Sequence, residues 1–505
     1  MQIDRSRFFP WLASGALVAV AAVVVHAATG TPTPRAITNT SGGQSVNASI
    51  DESGKLIVFT SSAHPSATYG AAGTFDFDGA GNDFLLPGDA PPTPRCVNCD
   101  NADGNGELYL WRLKAKRTEP ANSIRQLTVS TGGGLAANEN AVINQKGTMV
   151  AWDSDRNYGA NPGNDREIFV EDLATSTITQ ITSTTGGGDA ANRNVDVSDD
   201  GSVLVWDSNR DFAGVLGCTL ADGTSPCDNG DNNSEIMLFD RVANKLTQVT
   251  KTTGNGNNAN IRPRISNDGK FVAFQSTRDF AALANCTLAD GTTACTNGDQ
   301  NGEIIRWDRA LDRFTQVTNT AATGSCGGNN ANERVEIGKK GKFITFQSTC
   351  EAQLDAGGCG GSCDGSDNDE VFLYDASRKT LTQVTISVTG RFNRVPRISG
   401  AGNYIVFESN ASYRNLNPSH ARVLYIVKRN SKAGVNGVTG PGQLIADDET
   451  GAIQSAKARV IIVNRAGGFN SSTEGFGASA GGKFFTFDNS KGVGNSEIFF
   501  LDRTR

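Results

Sequence analysis

Apolar residues in this chain come in short runs, and the runs recur in a fixed order. Seven times a Gly precedes a run that ends on an aromatic: Gly54 with LIVF, Gly147 with MVAW, Gly201 with VLVW, Gly269 with FVAF, Gly341 with FITF, Gly402 with YIVF and Gly482 with FFTF. A second run follows each after a variable loop, and it opens on an acid at Glu107, Glu167, Glu235, Glu303, Glu370 and Glu497. The sixth copy departs, reading VLYIVKR from Val423. A third run closes most copies, as RQLT at Arg125, TQIT at Thr179 and TQVT at Thr247, Thr315 and Thr382. A fourth lies before each Gly, such as NVDVS from Asn194 or RPRIS from Arg262. Runs of this length, alternating or wholly apolar, predict strands rather than helices.

Four strands and one variable loop therefore repeat with a period of roughly 65 residues, and a radial repeat of four-stranded units is the propeller solution to exposed sheet edges. The stretches SNDGKFVAFQSTRD at Ser266 and GEIIRWDRALDRFTQVT at Gly302 resemble the PD40, or WD40-like, repeat of the TolB family. That resemblance implies an all-β, TolB-like β-propeller over nearly the whole chain, without the N-terminal α/β domain of TolB. The repeat count predicts seven four-stranded blades; six, usual in that family, is the alternative. The last copy ends at EIFFLDRTR without a closing TQVT, whereas PRAITNTSGGQSVNAS from Pro34 reads like a displaced copy of that segment. An N-terminal strand at Ala36–Thr38 is accordingly expected to complete the last blade and close the ring, removing an open edge.

The N-terminus reads differently. Arg5 and Arg7 precede an apolar run, Phe8 to Val25, ending on the small-residue pattern Val25-His26-Ala27. This pattern predicts a cleaved signal peptide over 1–27 and a single propeller domain over 28–505. Pro10, Ser14 and Gly15 interrupt the run, so no stable membrane span is expected after cleavage. A net charge of −7 argues against a nucleic-acid partner, which would need a basic stripe. All ten Cys follow the leader, and in an oxidising compartment such as the bacterial periplasm or exterior they read as disulfides. The loops CTLADGTSPC and CTLADGTTAC pair Cys218 with Cys227 and Cys286 with Cys295; Cys96–Cys99 and Cys359–Cys363 look analogous, leaving Cys326 and Cys350. With only His64 and His420 in the mature chain, a zinc reading of Cys96-Val-Asn-Cys99 has too few ligands.

Two sets of residues are candidate sites. Sorting loops by face puts many Asp on one side, Asp222 and Asp290 among them, and Lys such as Lys146, Lys270 and Lys379 on the other. Within the acidic loops, Asp76, Asp78, Asp83, Asp100, Asp103, Asp228, Asp231, Asp364 and Asp367 offer hard oxygen ligands suited to weak Ca²⁺ binding. Plain turn chemistry, with side-chain oxygens capping backbone N–H groups, also accounts for them. The second set faces the channel. The position five before each repeat Gly is Ser49, Val142, Asp196, Arg264, Glu336, Arg397 and Gly477, predicting ion pairs Asp196–Arg264 and Glu336–Arg397. Arg262, Arg334 and Arg394 lie nearby, and guanidinium forks suit carboxylate or phosphate. A ring of structural ion pairs is the competing reading.

No Ser–His–Asp, His-metal or uniquely spaced carboxylate pair stands out. The sequence therefore points to a non-catalytic exported binding or scaffold protein that recognises an envelope or cell-surface protein through its loop face. A carbohydrate-active protein binding an anionic oligosaccharide at the channel mouth is the alternative, and a Ca²⁺-dependent adhesion module a further one. No cofactor is required on this reading, Ca²⁺ aside.

Overall fold

Side chains can be placed in a computed structural model at residues 35–38, 44–62, 101–112, 123–131, 138–156, 158, 165–185, 192–254, 259–283, 285–321, 331–350, 368–413, 419–420, 422–429, 460–462, 477–479, 482–492 and 495–502, apart from some side chains inside strands, and these are the described residues. The leader expected over 1–27 lies outside them. Among them no helix is long and apolar enough to cross a membrane.

The described residues form seven antiparallel sheets, numbered here as blades 1–7 in the order of the repeat Gly. In blade 1 the order from the channel outward is Ser45–Ile50, Leu56–Ser61, Glu107–Arg112 and Ser123–Gln126. The same meander recurs from inner strands Asn138–Ile143, Asn192–Val197, Asn260–Ile265, Asn332–Ile337, Asn393–Ile398 and Gly477–Ala478. Each inner strand touches the inner strands of both neighbouring blades, and Gly477–Ala478 touches Ser45–Ile50. In blade 7, Arg35 pairs with Phe500 and Ala36 with Phe499, outside the strand Asn495–Asp502.

The second strands are almost wholly buried on both sides, which is why they read as continuous apolar runs instead of alternating. Inner strands alternate, one side toward the core and one toward the channel. Six of them break register at a residue with left-handed φ: Asn47, Asn140, Asn194, Arg262, Arg334 and Val395, with φ between 51° and 58°. Asn tolerates this conformation, but Arg and especially β-branched Val do not favour it. The reason is a contact with the preceding blade. The N–H of Asn194 donates to Asp153 (3.0 Å), that of Arg262 to Asp207 (3.0 Å) and that of Val395 to Gln347 (2.8 Å).

A buried polar staple repeats at the start of five inner strands, two residues before the left-handed residue. The Glu opening a third strand takes the side-chain amide of the Asn that starts the next blade's inner strand: Glu107–Asn138 (3.2 Å), Glu167–Asn192 (3.1 Å), Glu235–Asn260 (3.0 Å), Glu303–Asn332 (3.3 Å) and Glu370–Asn393 (2.9 Å). The same carboxylates accept the backbone N–H of Ser130, Thr184, Thr252, Thr320 and Ser387, just past the outer strands. Acid, hydroxyl and Asn thus form one network across each of these five blade boundaries, satisfying groups that are costly to bury alone. Burial pushes Glu235 and Glu303 up to about 7 despite these bonds.

Two cysteine loops form as expected, Cys218–Cys227 and Cys286–Cys295. Their placement corrects the face assignment. Thr219–Leu220 and Cys286–Leu288 run parallel to the outer strands of blades 3 and 4 as a fifth strand, so each hairpin lies along a blade edge. The tips reach the next blade. Ala221 packs on the core cluster holding Trp307 and Phe314, and Tyr374 Oη donates to the carbonyl of Ala289 at 3.3 Å. Lys379 Nζ donates to the carbonyl of Asp290 at 2.8 Å. Asp290 and Lys379, expected on opposite faces, are therefore neighbours. Cys350 is buried and disulfide-bonded; Cys96, Cys99, Cys326, Cys359 and Cys363 lie outside the described residues.

Candidate functional site

The inner strands enclose a channel, and the residue types along it are unevenly distributed. Two side-chain levels face it, set two residues apart on each strand. At the level of the left-handed residues stand Asn47, Asn140, Asn194, Arg262 and Arg334; two residues further on stand Ser49, Val142, Asp196, Arg264, Glu336 and Arg397. Blades 1 and 2 contribute no charge at either level. Blades 4, 5 and 6 contribute four arginines.

These arginines share their carboxylates. Glu336 lies between Arg264 (Nε–Oε2 3.6 Å) and Arg397 (3.4 Å). Glu333 lies between Arg262 (Nη1–Oε2 3.5 Å) and Arg334 (3.9 Å). Charge-assisted hydrogen bonds between such groups normally close to about 2.7–2.9 Å. All four contacts are longer, at 3.4–3.9 Å. Nη1 of Arg264 and of Arg397 bonds the carbonyl of the proline before it, Pro263 and Pro396, at 3.3 and 3.4 Å. Burial raises the carboxyl groups of Glu336 and Glu333, with the neighbouring arginines opposing it.

Asp196 corrects one expected pair. Its carboxylate accepts the N–H of Ile265 in the next blade and of Val197, both at 2.9 Å, instead of pairing directly with Arg264. Ser49 makes the equivalent bond to Ile143 at 3.2 Å, so this position serves to join blades. Burial raises Asp196, while Arg264 and Arg397 pull it down through space. Arg394 is a second correction. It does not line the channel; its guanidinium pairs with Asp369 and lies 5.0 Å from the Phe392 ring centroid, half exposed. Glu333 lacked a signal in the repeat offset, because the bulge at Arg334 turns its carboxylate toward two arginines.

The acidic loops show turn chemistry where they are described. Asp222 caps Thr224 and Ser225, and these bonds hold it down to about 2. Asp103 accepts from Asn105, Asp228 pairs with Lys251 at 2.7 Å, and Asp231 accepts from Asn233 and from the N–H of Gly254. Among the described residues no group of three or more His, Cys, Asp or Glu is disposed to hold a metal ion. Asp76, Asp78, Asp83, Asp100, Asp364 and Asp367 lie outside them.

Sheets set radially about a charged channel make this chain a β-propeller. Solved structures similar to it include TolB from Acinetobacter baumannii, at 16% identity over 64% of this chain and 57% of that one, with a TM-score of 0.35. Others are an oligogalacturonate lyase from Vibrio parahaemolyticus (10%, 93% and 91%, TM-score 0.46) and the β-propeller domain of the Trilobed protease from Pyrococcus furiosus (10%, 92% and 96%, TM-score 0.43). The chain spans little more than half the length of that TolB. No family model and no curated protein matches it.

Proposed function

We propose that this is an exported, non-catalytic binding protein that takes an anionic ligand, of the class of acidic oligosaccharides, at its central channel. The observation that carries the reading is the cluster Arg262, Arg264, Arg334 and Arg397, whose two shared carboxylates sit at 3.4–3.9 Å. Four arginines stand against Glu333, Glu336, Asp196 and Asp199, and protonation of any of the raised carboxyls of Glu333, Glu336 or Asp196 would leave an excess of positive charge. On the same reading the seven sheets are PD40-type blades of one ring, clasped by the strand at Arg35–Ala36, and residues 1–27 direct export to an oxidising compartment in which Cys218–Cys227 and Cys286–Cys295 persist. A binding role suits a rigid ring with a preformed polar channel, because little ordering entropy remains to oppose association.

The test is thermal melting of the chain from about Ala28 with a panel of acidic oligosaccharides. A ligand at about 100 times its Kd adds roughly 2.7 kcal/mol, which displaces the midpoint measurably. Loss of that displacement in the double variant Arg264→Gln, Arg397→Gln supports the reading. Unchanged midpoints across the panel would remove it.

A further inference from the structure

The four arginines are arranged as two pairs, not as one cluster, and the division constrains what they can hold. Arg262 and Arg334 belong to one level with Glu333 between them; Arg264 and Arg397 belong to the other with Glu336 between them. Arg262 and Arg264 are two residues apart on one strand, so their Cα atoms are at most about 6–7 Å apart along the channel. The left-handed residue in that strand keeps both side chains on the channel side while shifting the register behind them. Opposite stand the uncharged Asn47, Ser49, Asn140 and Val142 of blades 1 and 2. An anion is thus drawn to one wall only, and along the channel axis instead of across it.

We infer that the channel ligand carries two anionic groups spaced along an extended chain, one engaging Arg262 and Arg334 and the other Arg264 and Arg397. The inference rests on the anion-binding reading above and adds its valency and direction. Each level already holds one carboxylate between two guanidinium groups, which is the geometry a ligand carboxylate would extend by a second acceptor. Occupying one level raises the effective concentration of the second anionic group at the other, so valency rather than any new contact should govern affinity.

The probes are adipate, a dicarboxylate spanning about the distance between the levels, and hexanoate, which has a single carboxylate on a chain of the same length. Both are titrated calorimetrically at low salt into the intact protein, with an acidic oligosaccharide alongside. Adipate should bind at least about tenfold tighter than hexanoate. Arg262→Gln and Arg264→Gln should each bring adipate down to the affinity of hexanoate, and each should leave one level able to bind hexanoate. Melting of the unliganded variants checks that the ring stays folded, and Arg262→Lys, which keeps the charge, should restore part of the advantage. Equal affinity for adipate and hexanoate, with the oligosaccharide still binding, would overturn the two-level inference and leave anion binding standing. Failure of all three to bind would overturn both.

Discussion

A Cβ built on Gly54 would stand 2.3 Å from Cγ of Phe484, although the two residues belong to the first and last blades. The same relationship steps round the ring. Gly147 faces Leu56, Gly201 faces Met149, Gly269 faces Val203, Gly341 faces Phe271, Gly402 faces Phe343 and Gly482 faces Tyr404, each on the preceding blade. The repeat Gly is thus the seat for the first side chain of its neighbour's second strand, and the Gly54–Phe484 contact is where the cycle closes.

Gly54→Ala should therefore be among the most destabilising single-methyl additions in the chain. Its φ of +69° costs an L-residue about 1–2 kcal/mol, and the overlap with Phe484 adds to that. Gly217→Ala is the control, with φ +82° and nothing within 4 Å of the added atom. Denaturant titration should show the Gly54 variant losing clearly more stability than the Gly217 variant; equal losses would mean that the seam contact contributes little.

The Glu235–Asn260 staple makes a second prediction. Asn260→Ala leaves Glu235 short of one buried donor and should cost roughly 1–3 kcal/mol. Removing Thr252, which donates to the same carboxylate, should not be additive with it, since the three groups share one network. A double-mutant cycle measured by equilibrium unfolding decides between a network and independent bonds.

Stability should also depend on pH through the staples. Glu235 and Glu303 titrate near 4.5 in an unfolded chain and near 7 in the folded one, because burial disfavours their charge. The folded state then holds more protons between those values, so their contribution is full below about pH 4.5 and is lost as pH rises through about 7. Each contributes a slope of at most about −1.4 kcal/mol per pH unit in that window. Glu235→Gln should flatten the curve of stability against pH there; an unchanged slope would show that Glu235 ionises normally.

Reducing the two disulfide hairpins should destabilise the ring without dismantling the blades beneath. Each closes a short loop, for which chain entropy gives roughly 2–3 kcal/mol. Cys286→Ser with Cys295→Ser should lower the melting midpoint and raise hydrogen exchange in the outer strand Arg313–Gln316, which the hairpin pairs with. Protection unchanged in that strand would show that the hairpin is not held there by its disulfide.

Much of this architecture was legible from the chain. Strand positions follow from short apolar runs, the hairpin pairs Cys218–Cys227 and Cys286–Cys295 from two near-identical loops, and the channel position of Arg264, Glu336 and Arg397 from a constant offset to the repeat Gly. These are local properties, and a repeat copies local properties faithfully. The partners were not local. Asp196 bonds a backbone N–H of the next blade in place of Arg264, Arg394 leaves the channel for Asp369, and Glu333 enters the arginine cluster because a left-handed Arg334 follows it.

The sequence by itself determined where most of the four strands of each repeat lie, since periodicity and turn chemistry act within a few residues, but not the fifth strands Thr219–Leu220 and Cys286–Leu288 that the cysteine hairpins add. Only the tertiary structure decided which charge meets which, why a Gly heads every second strand, and how the Glu and Asn of adjacent repeats become one buried network. Those contacts all cross blade boundaries. They depend on the angle and spacing at which blades pack, which no single repeat encodes.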